Sequence, residues 1–236
     1  MKLQNKVAII TGGGRGIGRS TAIIFTREGC RVVITSRTKK ELEETKKIIG
    51  KTENILAIEG DVRSEKDVKN IIKKTLDKFG RIDILVNNAG VAYYKPFLET
   101  SEKEYDSILD TNLKGTFLFT KHILPIMLKQ NSGVIINISS GAGKHGIGGL
   151  AVYCASKFGV IGLTESIANE LHGTGIKIYA VCPGGVNTKM YLDTWPETNP
   201  KSLIQPEEVA EKILSLCLPD CKTPSGVSVD VRKRLF

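Results

Sequence analysis

The chain has 236 residues, of which 41% are hydrophobic and 25% are charged, and its formal net charge is +9. This length suits one large α/β domain, and the composition is that of an ordinary globular protein rather than a disordered or fibrous one. No apolar run reaches the roughly 20 residues that a membrane-spanning helix needs. Because the N-terminus runs almost directly into a strand pattern, we expect no signal peptide and a cytoplasmic protein.

Short apolar strands and amphipathic helices alternate along the chain. In chain order the sequence predicts strand 6–11, helix 16–28, strand 31–36, helix 39–49, strand 55–59, helix 64–79, strand 82–87, helix 102–129, strand 134–138, helix 151–172, strand 176–182, helix 206–217 and a last strand at 227–231. Continuous apolar strands separated by helices are typical of a parallel sheet covered on both faces. We therefore predict a doubly wound, Rossmann-like α/β fold. It would be a single domain over 1–236, with a substrate lid at about 184–205.

Neither the cysteines nor the positive charge requires a metal site or a binding surface for nucleic acid or membranes. The five cysteines contain no CxxC pair, so we interpret them as reduced thiols and expect no metal site. A basic surface suits nucleic acid, a membrane or a phosphorylated cofactor, but we interpret it as a solvated Lys-rich surface. The only basic run is the short tail Arg232-Lys233-Arg234. We predict neither nucleic-acid binding nor membrane binding.

The first strand ends in a glycine-rich turn, Thr11-Gly12-Gly13-Gly14-Arg15-Gly16-Ile17-Gly18. Glycines let the chain turn tightly, and they let backbone N–H groups approach a pyrophosphate at a helix N-terminus. The spacing is T-G-x-x-x-G-x-G rather than the usual G-x-G-x-x-G. The alternative is a packing turn that binds nothing.

The end of the second strand indicates which dinucleotide is bound. Folds that use NAD often place Asp or Glu there to bind the ribose 2′-OH. Here the residues are Ser36 and Arg37, with no acid, and Arg15 lies in the glycine turn. Guanidinium groups bind a phosphate in bidentate fashion. The pattern therefore favours NADP(H) over NAD(H), although each arginine alone is typical of a protein surface.

Tyr153 and Lys157 are four residues apart and share a helix face. A nearby ammonium favours the phenolate and lowers the pKa of a tyrosine, which can then exchange a proton with a substrate oxygen. Ser139 and Ser140 follow the fifth strand at the carboxyl edge, where open α/β sheets bind ligands. A Tyr-x-x-x-Lys pattern alone is common on helices, so this context is what favours a catalytic site.

Asn112 lies in a mostly apolar helical stripe, where an amide is costly unless it is hydrogen-bonded. A capped kink or a buried water would account for it. A proton relay, or an anchor for the Lys157 region, would account for it as well.

At this point the sequence resembles the short-chain dehydrogenase/reductase family in its compact single-domain form, similar to 3-oxoacyl-carrier-protein reductases. The resemblance extends from the first strand to about Thr188, most of the chain. The matching residues, in the family's order, are Thr11-Gly12-x-x-x-Gly16-Ile17-Gly18, Asp61-Val62, Asn87-Asn88-Ala89-Gly90, Asn112, Ser140, Tyr153-x-x-x-Lys157 and Pro183-Gly184 with Thr188.

The resemblance implies a role for each matching residue. Tyr153 would be the general acid/base, Lys157 would lower its pKa and bind the nicotinamide ribose, Ser140 would orient the carbonyl, and Asn112 would hold a water in a proton relay. Asp61 and Val62 would face the adenine. The full set implied for the cofactor is Gly12, Gly14, Arg15, Gly16, Ile17, Gly18, Ser36, Arg37, Asp61, Val62, Asn88, Ala89, Gly90, Tyr153, Lys157, Pro183, Gly184, Val186 and Thr188.

The function predicted from the sequence is an NADP(H)-dependent oxidoreductase acting on a carbonyl or a secondary alcohol. The alternative is a catalytically silent protein that senses or scaffolds the cofactor. The substrate would be a small molecule, with an acyl thioester on a carrier protein as one candidate beside sugars, polyols, steroids and small ketones. Family members are mostly homotetramers or homodimers, so a homo-oligomer is expected, although the family's terminal glycines are absent after Gly226.

Overall fold

The computed structural model of the protein describes residues 1–50 and 52–233. The last residue of the predicted basic run, Arg234, lies outside them. The elements in chain order are β1 (Val7–Thr11), α1 (Gly16–Arg27), β2 (Arg31–Ser36), α2 (Lys39–Ile49), β3 (Ile55–Glu59), α3 (Glu65–Phe79), β4 (Ile84–Asn87), α4 (Glu102–Leu109), α5 (Gly115–Gln130), β5 (Gly133–Ile138), α6 (Ala151–Glu170), β6 (Ile176–Pro183), α7 (Lys189–Thr194), α8 (Pro206–Leu216) and β7 (Ser228–Val231).

The seven strands form one parallel sheet in the order β3-β2-β1-β4-β5-β6-β7. The strand order reverses between β1 and β4, which are neighbours although two strands separate them in sequence. In open α/β sheets, ligands bind beyond the carboxyl ends of the strands at such a reversal. The predicted doubly wound, Rossmann-like fold is confirmed.

Hydrophobic side chains are buried on both faces of this sheet. In β1, for example, Ile9 packs into one core and Ile10 into the other. Strands buried on both faces have no reason to alternate apolar and polar residues, which explains their continuous apolar sequences. No helix among residues 1–50 and 52–233 is long and apolar enough to cross a membrane.

The helix predicted over 102–129 is interrupted in the structure. It ends as α4 at Leu109, continues as a π-helical turn at Asp110–Lys114 and resumes as α5. A π turn carries one extra residue, so it rotates the following side chains without ending the helix. Apolar periodicity does not reveal such an insertion. The other predicted boundaries differ from the structure by at most two residues.

Candidate functional site

A cleft of about 720 Å³ opens at the carboxyl edge of the sheet. It is lined by every residue assigned above to the cofactor or to catalysis except two, Gly18 and Asn112. Both lie behind the cleft wall. Gly18 packs against Gly12, and Asn112 is hydrogen-bonded to the backbone of Val91, so each supports a residue that lines the cleft. The fold therefore brings together residues from positions 12 to 188 of the chain.

The glycine turn is shaped to receive an anion. Gly12 and Gly16 have φ angles of +65° and +52°, a backbone conformation that favours glycine. The first turn of α1 has no side-chain cap and no acidic residue, so its backbone N–H groups are left for a ligand. From behind, Nε of Arg19 donates a hydrogen bond to the Gly14 carbonyl at 2.9 Å. This uncapped, glycine-lined helix start fits the pyrophosphate of a dinucleotide.

The end of β4 is tied to this turn by the side chains of Thr11 and Asn88, through contacts that were not predicted from the sequence. The Thr11 hydroxyl accepts hydrogen bonds from the backbone N–H groups of Asn88 and Ala89, at 2.9 and 3.0 Å. Nδ2 of Asn88 donates to the carbonyls of Thr11 and Gly12, at 2.9 and 3.2 Å. The resemblance implied Asn88 as a cofactor-binding residue. It does reach the cleft wall, and its amide also fixes the glycine turn against the sheet.

The two arginines predicted to bind a 2′-phosphate have different surroundings. Arg37 is exposed at the cleft mouth, next to Ser36. Nη1 of Arg15 lies 3.6 Å from Oε1 of Glu41, a carboxylate at the start of α2 that sequence reasoning missed. The only signal for Glu41 in the sequence was its place in the first turn of α2, shortly after Arg37. The charge of Arg15 is therefore shared with Glu41, whereas Arg37 forms no ion pair among the described residues.

Asp61 lines the same end of the cleft and is already paired. Its carboxylate accepts hydrogen bonds from Nε and Nη2 of Arg63, the latter at 2.6 Å. Partial burial acts to raise the pKa of Asp61, but the hydrogen bonds and charge of Arg63 outweigh it and hold that pKa below its usual value. The carboxylate therefore stays ionised at neutral pH. Val62 lies beside it and packs closely against Gly115.

Tyr153 and Lys157 project from the first turns of α6 into the cleft. Nζ of Lys157 lies 5.6 Å from the centre of the Tyr153 ring and donates a hydrogen bond to the Ile138 carbonyl at 2.8 Å. Burial lowers the pKa of Lys157 to about 8. Burial also raises the pKa of Tyr153, and a hydrogen bond with Ser140 opposes that effect. The site therefore holds a protonated phenol beside an ammonium that is still largely charged at neutral pH.

The two serines after β5 have different surroundings. The Ser139 hydroxyl is buried and donates to the Lys157 carbonyl at 2.9 Å, which anchors α6 to the end of the strand. The Ser140 hydroxyl accepts a hydrogen bond from the Ala142 N–H at 3.1 Å and faces Tyr153. Of the two, Ser140 is the one whose hydroxyl lies beside the tyrosine hydroxyl.

Asn112 lies in the π turn and is buried, with protein partners on both ends of its amide. Its Oδ1 accepts from the Val91 N–H at 2.8 Å, and its Nδ2 donates to the Val91 carbonyl and to the Ser156 hydroxyl, each at 3.0 Å. A side chain at Gly90 would lie 3.3 Å from this Oδ1 and 3.6 Å from Nζ of Lys157. The space beside Gly90 is therefore bordered by both residues.

A buried polar network beneath the site was not predicted. Nδ2 of Asn87 donates to Oδ1 of Asn137 at 2.8 Å and to the Thr120 hydroxyl at 3.1 Å, and Nδ2 of Asn137 donates to the Thr164 hydroxyl at 2.9 Å. It joins β4 and β5 to α5 and α6. The signal in the sequence was an asparagine near the end of each strand, and the two are in register in the sheet.

Residues 184–205, predicted as a lid, contain α7, and residues 184–191 with Thr194 and Trp195 line the cleft. The Thr188 hydroxyl caps α7 by accepting from the Tyr191 N–H at 3.3 Å. Its methyl group would lie 3.1 Å from a side chain at Gly16. Val186 is buried and forms a bridge with Ile204, while Pro183 and Gly184 line the cleft at the end of β6.

Comparisons with known proteins show which family this chain resembles. The family model described as short chain dehydrogenase matches residues 6–199. A 3-oxoacyl-[acyl-carrier-protein] reductase of Thermotoga maritima is 35% identical, over 98% of each chain. The structure of a 3-ketoacyl-(acyl-carrier-protein) reductase from Brucella melitensis complexed with NADH has a TM-score of 0.90 and 32% identity, with 97% of each chain covered.

A third relative has a structure with the phosphorylated cofactor. It is a variant of actinorhodin polyketide ketoreductase with NADPH, with a TM-score of 0.89, 32% identity, and coverage of 96% of this chain and 95% of that one. The matched region contains the glycine turn and the Tyr153–Lys157 pair described above. This chain belongs to the short-chain dehydrogenase family of oxidoreductases.

Proposed function

We propose that this protein is an NADP(H)-dependent oxidoreductase that transfers a hydride between the nicotinamide and a carbonyl or secondary alcohol, with Tyr153 as general acid/base. The observation that carries the proposal is the grouping of Tyr153, Ser140 and Lys157 in the cleft that begins at the glycine turn. Relatives whose structures contain NADPH or NADH support a nicotinamide cofactor. Relatives named as 3-oxoacyl reductases keep acyl thioesters among the candidate substrates.

The site residues act on the substrate oxygen in this proposal. A bound nicotinamide cofactor supplies or accepts the hydride. In the direction of reduction the Ser140 hydroxyl donates a hydrogen bond to the carbonyl oxygen and holds it, and the Tyr153 hydroxyl transfers its proton to that oxygen. The phenolate left behind is stabilised by the charge of Lys157, because an opposite charge nearby favours an ionised form. Both Nδ2 protons of Asn112 are donated to protein groups, so Asn112 would hold a water beside Gly90 through its Oδ1, and that water would relay a proton from solvent towards Tyr153.

The first test of the proposal measures cofactor binding and turnover in the purified protein. We expect NADPH and NADH titrations, followed by nicotinamide fluorescence, to give tighter binding of NADPH. Oxidation of bound NADPH should then follow on at least one member of a carbonyl panel. Absence of binding by either cofactor would overturn the proposal. Tight binding without turnover on any carbonyl would instead favour the silent sensor or scaffold.

The preference for NADPH is expected to depend on Arg37. In Arg37→Asp we expect NADPH to bind at least about tenfold more weakly while NADH binding is retained, because a hydrogen bond to a charged group contributes about 1.5–3 kcal/mol. Titration of both cofactors measures the ratio. Lys47→Glu, an equal change of charge at an exposed position near the other end of α2, is the control for long-range electrostatics. An unchanged ratio in Arg37→Asp would place the 2′-phosphate elsewhere.

A further inference from the structure

Beyond Tyr153 the side chains that line the cleft become mainly apolar. On the side away from the glycine turn its wall is apolar and aromatic, and we call this region the apolar end. It consists of Val91, Ala92, Ile147, Leu150, Tyr191 and Trp195. A carbonyl held by Ser140 and Tyr153 would have its substituents in this region, so its chemistry determines which substituents fit.

The rings of Tyr191 and Trp195 line the apolar end, and the ring of Tyr94 lies against Trp195 outside the cleft lining. The Trp195 ring centre lies 4.7 Å from that of Tyr191 and 6.1 Å from that of Tyr94. Tyr94 comes from the loop after β4, whose Lys95 N–H donates to the Gly149 carbonyl at 2.9 Å. A side chain at Gly149 would lie 2.5 Å from the Tyr94 ring, so this glycine is what lets the ring pack against the loop before α6.

The aromatic cover is continuous with the catalytic residues. Trp195 and Tyr153 both pack against a small cluster formed by Ala142, Leu150 and Cys154. A substrate beside the Tyr153 hydroxyl would therefore contact the Trp195 ring or the buried Leu150 side chain. Large aromatic side chains contribute most of the contact energy for an apolar ligand.

At this end the described residues offer an ionised substrate two lysines of the cleft wall as partners, and of these the ammonium of Lys157 has no carboxylate partner but lies buried beside the Tyr153 ring. The charged side chains there that line the cleft are those of Lys157 and Lys189. Lys157 is bound to the Ile138 carbonyl and belongs to the proposed catalytic group. Nζ of Lys189 is bound to both carboxylate oxygens of Asp193, at 2.8 and 2.7 Å. The Thr194 hydroxyl is likewise bonded, to the Met190 carbonyl.

We propose that the substrate is an uncharged ketone, or the corresponding secondary alcohol, with a compact apolar ring or branched group that lies against Trp195. The inference rests on the proposed function and narrows its substrate class. Keto acids, sugar phosphates and polyols are disfavoured, because their charged or polar groups would lose water in the apolar end without gaining partners. A neutral thioester remains compatible with it.

The test uses Trp195 itself, because it is the single tryptophan in the chain. Two probes are titrated into the complex with oxidised cofactor: cyclohexanone carrying an ethyl ester, and the same ring carrying the free carboxylate. We expect the ester to give a saturable change in tryptophan emission, and the carboxylate to bind at least about a hundredfold more weakly, as burial of an unpaired charge requires. Equal or tighter binding of the carboxylate would overturn the inference, as would the absence of any response to the ester.

Two variants test whether carboxylate binding depends on the apolar end or on Lys189. Ile147→Arg, at the partly exposed rim, should improve carboxylate binding at least about tenfold by supplying the missing partner. Lys189→Met should leave the ratio of the two probes unchanged, because that ammonium is already paired. A loss of carboxylate binding in Lys189→Met would instead identify Lys189 as an anion site and contradict the inference.

Failure of the inference and failure of the proposed function give different results. Emission from Trp195 reports binding in the absence of turnover, so Tyr153→Phe, which loses one hydrogen bond to the carbonyl, should bind the ester more weakly but keep the preference for the ester over the carboxylate. If the ester binds but NADPH oxidation never occurs, the proposed function fails and the apolar end stands. If NADPH is oxidised with the carboxylate as readily as with the ester, the substrate class is wrong and the proposed function stands.

Discussion

Replacement of Tyr153 by phenylalanine is expected to lower turnover by about a thousandfold or more while cofactor affinity stays nearly unchanged. The substitution removes the hydroxyl that gives the substrate oxygen its proton, and positioned general acids contribute about 10²–10⁴-fold to rate. The aromatic ring remains to pack against Leu150 and Cys154, so the fold should be retained. Steady-state turnover with the best carbonyl of the panel, together with NADPH titration, measures the two effects separately.

The control for this variant is Tyr105→Phe. Tyr105 is half-exposed on α4 and lies outside the cleft, so loss of its hydroxyl should leave turnover as it is. Thermal unfolding of both variants checks that neither has lost structure. Turnover by Tyr153→Phe close to that of the unaltered protein would show that another group supplies the proton.

The second large effect is expected from Gly18→Ala, which should weaken NADPH binding about ten- to a hundredfold. A methyl group at this position would lie 2.3 Å from the Gly12 carbonyl oxygen and 2.5 Å from Nδ2 of Asn88. The first of these is backbone, so the glycine turn must move away from α1. Overpacking of this kind costs about 1–3 kcal/mol, and it would displace the N–H groups proposed to bind the pyrophosphate. Fluorescence titration with NADPH measures the loss.

Gly162→Ala is the matched control, since it makes the same substitution at an open position. Gly162 is an exposed residue within α6, and nothing lies within 4 Å of the position its side chain would take. Alanine is favoured over glycine in a helix by about 1 kcal/mol, so this variant should be slightly more stable and bind NADPH normally. Normal NADPH affinity in Gly18→Ala would mean that the close packing of Gly12 on α1 is not what shapes the cofactor site.

Local patterns in the sequence were enough to predict the architecture and to single out the residues proposed for the site. Buried parallel strands are continuous apolar runs and amphipathic helices repeat every 3.6 residues, so both are visible locally. The glycine turn, Ser140 and the Tyr153–Lys157 pair could be found for the same reason, because each is a short pattern attached to the end of one element. A parallel sheet then places all such ends on one edge.

Contacts between residues that are distant in the chain could be identified from the folded structure alone. The ion pair of Arg15 with Glu41 shows that one of the two predicted phosphate ligands is already engaged. The π turn that carries Asn112 inserts one residue into an otherwise regular helical pattern. The contact of Tyr94 with Trp195 joins loops about a hundred residues apart. Such contacts depend on how the elements pack, and local periodicity carries no information about that.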